Sequence, residues 1–113
     1  MSKNDQLRLR HMLDSAREAV SFITGKSRAD LETDRMLTLS LVKCIEIIGE
    51  AANSVSKEFR EGHPEIPWQD IVGMRHRLIH AYYDVDLDVV WATVTEDLLP
   101  FIAELDKIIS EEI

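Results

Sequence analysis

Two arginines, two histidines and two tyrosines crowd into Arg75-His76-Arg77-Leu78-Ile79-His80-Ala81-Tyr82-Tyr83, and no acidic residue lies between Ile71 and Tyr83. In a chain of 113 residues with 21 acids and a formal net charge of −8, that stretch is an island of positive potential. Arginine offers forked donors that match phosphate oxygens. Histidine titrates close to neutral pH and can take or give a proton. Together they can run metal-free cleavage of RNA, in which a ribose 2′-hydroxyl attacks its own phosphate. Metal chemistry is the weaker reading. His76 and His80 have the i, i+4 spacing of a ligand pair, but no Glu follows His76 as in a zinc-protease motif, and only Asp84 offers a third ligand nearby. Asp84, Asp86 and Asp88 resemble the start of a calcium loop, yet Val89 stands in the glycine position and Thr95 where the bidentate glutamate belongs. Helix capping explains the aspartates better, and we expect neither metal nor cofactor.

The elements that must position this stretch read as helices. Four apolar-periodic segments occur, with no strand-like alternation to compete. The first spans about 4–24, with Leu9, Met12, Leu13, Ala16, Val20 and Ile23 on one face and Gly25 as a stop. Ser27 and Asp30 have the spacing of a capping box. The second spans about 31–60, with Leu37, Leu41, Ile45, Ile48, Ala52, Val55 and Phe59 as a continuous stripe, ended by Gly62 and Pro64. A helix of that length would run roughly 40 Å, which predicts a partner of similar length and hence a bundle. Gly49 inside it predicts a close helix approach. The third starts near Pro67, with Trp68, Ile71, Val72, Leu78 and Ile79 buried. The fourth spans about 87–110, with Asp86 as its cap and Val85 and Val90 as a hydrophobic staple. Pro100 lies within it and should distort it by removing a backbone bond. The expected architecture is all-α, an antiparallel bundle of four to five helices forming a single domain over 1–113.

Composition agrees. The chain is 45% hydrophobic and 30% charged, with four glycines and three prolines. Cys44 is the only cysteine, which excludes an intrachain disulfide or a cysteine-based zinc site, and it sits in an apolar stripe. The start Met1-Ser2-Lys3-Asn4-Asp5 lacks the apolar stretch of a signal peptide, and no apolar run reaches the ~20 residues of a membrane span. These features predict a cytoplasmic protein. The acidic balance argues against a general nucleic-acid-binding surface, so any RNA must meet a local basic pocket.

The motif Arg75-x4-His80-x-Tyr82 resembles the signature of the HEPN family (higher eukaryotes and prokaryotes nucleotide-binding), in its HepT toxin form. Ile47-Ile48-Gly49-Glu50-Ala51-Ala52 resembles that family's second-helix signature. The runs Ile66-Pro67-Trp68, Gly73-Met74-Arg75, Asp84-Val85-Asp86 and Val90-Trp91 resemble the remainder, so the likeness covers most of the chain. His76 stands where many relatives carry Asn. The resemblance implies a dimeric helical ribonuclease encoded beside a nucleotidyltransferase antitoxin of the MntA type, which silences the toxin by attaching AMP to the motif tyrosine, here Tyr82.

Geometry adds an independent constraint. Five residues of unbroken helix advance about 500°, which would set Arg75 and His80 roughly 140° apart. Either the helix ends before His80, or two chains assemble the site across a two-fold axis; the dimer is favoured and would pair two basic islands. In that site His80 serves as general acid or base and Arg75 stabilises charge on the phosphorane-like transition state. His76 supplies a second proton-transfer group or a phosphate contact, Arg77 contacts backbone phosphate, and Tyr82 borders the pocket. Glu46, Glu50 and Asn53 line one side of the second helix as exposed polar surface, unless Glu50 reaches the motif and orients Arg75. The competing reading is a non-catalytic HEPN subunit that binds nucleotide or seats a nucleotidyltransferase.

Overall fold

Helix α1 (Lys3–Phe22) begins at an N-cap, Ser2, whose hydroxyl accepts from the Asp5 amide at 3.0 Å. The computed structural model describes residues 1–81 and 84–111, the side chains of His80 and Ala81 excepted. One face of α1 buries Leu9, Met12, Leu13 and Ala16. Beyond it Gly25 takes a φ of +77°, the left-handed region that favours glycine and turns the chain back. Asp30 then accepts from the Ser27 amide at 2.7 Å, the backward half of the expected capping box.

The second segment is three helices rather than one: α2 (Asp30–Thr33), α3 (Arg35–Ser54) and α4 (Lys57–Gly62). The breaks fall where short polar side chains bind the backbone and so compete with the helix. Asp34 accepts from the Leu37 amide at 3.0 Å and caps α3. Ser56 accepts from the Phe59 amide at 3.2 Å and caps α4, while Val55 is extended. The apolar stripe survives the breaks, because Leu37, Leu41, Ile45, Ile48, Ala52, Val55 and Phe59 are all buried. At 20 residues α3 is roughly 30 Å long and matches α1. The two run antiparallel: Asp5 near the start of α1 meets Ser56 just past α3, and Glu18 late in α1 meets Cys44 in the middle of α3.

The third segment is α5 (Trp68–Val72) and α6 (Met74–Leu78), separated by Gly73. It packs across α3. A Cβ at Gly49 would stand 3.3 Å from the Ile71 carbonyl oxygen and 3.6 Å from that of Val72, so the glycine admits the end of α5. After α6 comes a further feature the periodicity did not foresee, an antiparallel ribbon of β1 (Ile79–Ala81) and β2 (Asp84–Val85), pairing Ile79 with Val85 and Ala81 with Asp84. The Asp86 amide donates to the Leu78 carbonyl at 2.7 Å and closes its base.

Asp86 then caps α7 (Leu87–Ala92), accepting from the Val89 amide at 3.1 Å. Val90 is fully buried and Val85 packs against the core, the arrangement expected of a staple. The helix continues through a π turn (Thr93–Asp97) into α8 (Leu98–Glu111). Pro100 explains the wide turn. In a regular α-helix its ring would collide with the Glu96 carbonyl and leave that oxygen without a donor. Five-residue bonding, such as Leu98 N–H to the Thr93 carbonyl, loosens the preceding turn. The four helical segments share one core, and the chain is an all-α helical bundle. Among the described residues no helix is long and apolar enough to cross a membrane.

Candidate active site

Arg75 lies on α6, and its partner lies on α3. Its Nε donates to Glu46 Oε1 at 3.1 Å, with the Arg75 side chain 57% exposed and that of Glu46 22%. The guanidinium is thus held through one nitrogen while much of it remains open to solvent. The sequence offered Glu50 for this part, and the structure corrects it. Glu50 is exposed one turn further along, and Glu46 makes the contact. The two carboxylates are four residues apart and share a helix face, so spacing does not choose between them. What chooses is where α6 crosses α3, which the Gly49 contact sets.

Arg77 points elsewhere. It donates to the Asp70 carbonyl oxygen at 3.1 Å, and its guanidinium stands 4.0 Å from the Asp70 carboxylate. Its side chain is 52% exposed, which leaves donors facing solvent. His76 is exposed; its amide donates to the Gly73 carbonyl at 3.1 Å, and its ring makes no hydrogen bond among the described residues. The basic island is therefore less positive in the fold than in the sequence, since Glu46 and Asp70 each bring a carboxylate to an arginine.

Helix α6 stops at Leu78, so the backbone of His80 belongs to β1. The helix ends before His80, one of the two geometries that the spacing allowed. The separation expected along a straight helix does not apply. The side chain of His80, and Tyr82 and Tyr83 altogether, lie outside the described residues. Among the described residues, no group of three or more His, Cys, Asp and Glu could hold a metal ion. The aspartates after the motif have other work: Asp86 caps α7, and Asp88 accepts from Arg28 Nε at 2.8 Å, tying the α1–α2 connection to α7.

Among the described residues, the aromatic groups that lead into the motif are structural. Trp68 is buried, donates Nε1–H to the His63 carbonyl at 3.0 Å and meets Phe59 edge-on, with ring centroids 6.4 Å apart. His63 stacks on Phe59 at 4.1 Å. The sequence missed Glu46 as a site residue, although its place on the Gly49–Glu50 face was the available signal.

Comparison with known proteins identifies the family. The family model described as "Ribonuclease HepT-like" matches residues 12–108, which encloses Glu46, Gly49 and the whole Arg75–Tyr82 motif. A protein of Caldanaerobacter subterraneus described as an RNase is 39% identical over 103 residues, covering 91% of this chain and 88% of its own length. A Thermococcus cleftensis protein described as ribonuclease HepT is 36% identical over 100 residues, 85% of this chain and 91% of that one. A Methanocaldococcus jannaschii protein, also described as an RNase, is 34% identical over 99 residues, 87% and 91% of the two chains. No solved structure matches. With its helical bundle, its Arg75-x4-His80-x-Tyr82 motif and a match over nearly its whole length, this chain belongs to the HepT-like ribonuclease family.

Proposed function

We propose that this protein is a metal-independent endoribonuclease, the toxin of a toxin–antitoxin pair, acting in the cytoplasm on RNA. The observation that carries the reading is that the family match encloses the entire motif, with Arg75 exposed and oriented by Glu46. His80 takes the proton from a ribose 2′-hydroxyl or returns one to the departing 5′-oxygen. The 2′-oxygen forms its bond to phosphorus as the bond to the 5′-oxygen breaks, leaving a 2′,3′-cyclic phosphate and a 5′-hydroxyl. Proton transfer of this kind contributes roughly 10²–10⁴ in rate. Arg75 stabilises the additional negative charge on the phosphorane-like transition state, and Glu46 holds its fork in place. His76 offers a second proton-transfer or phosphate-binding group, and Arg77 contacts backbone phosphate outside the centre.

The working unit in this reading is a two-fold homodimer. Met36 and Leu39 support it: both are large apolar residues on the outer side of α3, exposed by 80% and 47%. Leu39 is seven residues from Glu46 and shares its face, so a partner covering Leu39 would bring a second basic island towards the first. Silencing falls to a nucleotidyltransferase antitoxin of the MntA type, which transfers AMP from ATP to the Tyr82 hydroxyl with loss of pyrophosphate.

The test is cleavage of total cellular RNA by purified protein in EDTA, wild type against His80→Ala. Cleavage by the wild type alone is expected. Equal activity in both preparations would remove His80 from the mechanism. Nucleotide binding without cleavage, retained in His80→Ala, would replace the enzyme with a nucleotide-binding or nucleotidyltransferase-partner subunit.

A further inference from the structure

A cluster of negative charge on this protein surrounds an apolar floor. A groove of about 350 Å³ lies between the α5–α6 limb and the π turn with the start of α8. Ile66, Ile71, Met74, Leu98 and Phe101 form its floor, and all five are buried. Its rim carries Glu65, Asp70, Glu96, Asp97 and Glu104 against a single cation, Arg77. Five carboxylates less one guanidinium give a formal −4, half of the chain's −8. Arg77 is already committed to the Asp70 carbonyl, so it does little for the other four carboxylates.

Each half of this description restricts the occupant. Carboxylates focused in a concave surface repel phosphate, which excludes RNA. An apolar floor gives a small inorganic cation nothing to hold. Pro100 and its π turn add shape, since they form one wall where a regular helix would run straight. The occupant must bring apolar side chains to the floor and ammonium or guanidinium groups to the rim.

We propose that this groove is a docking surface for a basic amphipathic helix of a partner protein, with an apolar stripe flanked by Lys and Arg. Helix-in-groove recognition uses this division of labour, with apolar anchors giving affinity and rim charges giving encounter rate and partner choice. A second copy of this chain is a poor occupant because it too is strongly acidic. The groove borders the candidate site and shares Arg77 with it. Met74 and Arg77 line it, while Arg75 on the same five-residue helix reaches back to Glu46 on α3. The proposal goes beyond the nuclease reading and does not depend on it.

The experiment uses the full chain and two fluorescein-labelled helical peptides, one with a leucine stripe flanked by lysines and its twin with glutamates in place of the lysines. Fluorescence anisotropy should show binding of the lysine peptide that weakens with added salt, and none of the glutamate peptide. Glu65→Lys/Asp97→Lys, two exposed rim positions outside the core, should weaken that binding roughly tenfold while leaving RNA cleavage unchanged. Amide shifts on peptide addition should centre on Met74, Leu98 and Phe101. Equal binding of both peptides, indifference to the charge reversals, or shifts centred elsewhere would overturn the proposal. So would a change of oligomeric state in the rim variant by sedimentation, which would make the groove a self-interface.

Discussion

Arg75 Nε donates to Glu46 Oε1 at 3.1 Å, so the motif arginine on a five-residue helix takes its orientation from a carboxylate on the central helix α3. The pair is partly exposed, and solvent screening limits its worth to folding. Its value lies in direction: one guanidinium nitrogen is fixed and the others face outward.

Replacing Glu46 by Ala should therefore lower kcat/KM for RNA cleavage by roughly tenfold, with little change in Tm. Glu46→Gln, which keeps an acceptor for Arg75, should recover most of that loss. Glu50→Ala should change cleavage less than about twofold, the level of an ordinary surface substitution. Cleavage kinetics on one RNA substrate across the three variants check this, and a larger effect at Glu50 than at Glu46 would refute it.

Asp5 governs a pH dependence of stability. Burial alone would raise its pKa, but hydrogen bonds from the Ser56 hydroxyl and amide and from Ser2 outweigh it, and the folded value lies below the ordinary 3.8. A depressed carboxylate stabilises the fold above its unfolded pKa and stops doing so as pH falls through the folded one. Wild type should lose this contribution below 3.8. Asp5→Asn should be less stable by about 1–3 kcal/mol at neutral pH, and the difference should shrink on acidification. Urea unfolding across the acid range measures it.

Cys44 should resist thiol reagents while the protein is folded. Burial, followed by the Glu18 charge and the hydrogen bond to its carboxylate at 3.7 Å, pushes the thiol up to about 11. Thiolate is the reactive form, so labelling near pH 8 should proceed only as fast as the fold opens. Adding urea below the unfolding midpoint should accelerate it, and rapid labelling in buffer would contradict this placement.

At Gly49 any side chain meets backbone. With the Ile71 carbonyl oxygen 3.3 Å from a built Cβ, Gly49→Val should overpack the α3–α5 contact and cost about 1–3 kcal/mol. It should also displace α6 and separate Arg75 from Glu46, so cleavage by the protein that remains folded should fall as in Glu46→Ala. Thermal unfolding together with activity per folded molecule separates the two effects.

Much of this protein was legible in its sequence because the signals are local. Apolar residues at spacings of three and four placed four helical segments, and the structure contains all four. Asp86, Val85 and Val90 marked the start of α7 because capping depends on neighbours along the chain. Cys44 read as buried from the stripe around it, and it is. The motif and its flanks named the family.

Tertiary structure decided the rest, because it depends on residues far apart in sequence. Hydropathy runs unbroken from Leu37 to Phe59, yet the helix breaks at Ser56, whose amide and hydroxyl both bind Asp5, 51 residues away. The ribbon at Ile79–Val85 is too short for alternation to reveal, and it takes His80 off the helix that carries Arg75. Glu46 and Glu50 are equivalent by periodicity, and only the crossing of α6 over α3, set by the space at Gly49, selects Glu46. The acidic groove draws its rim from residues 65–104 and exists only once α8 lies beside α5. Spacing along one helix can place a residue on a face, but which distant group meets it is fixed only when the helices pack.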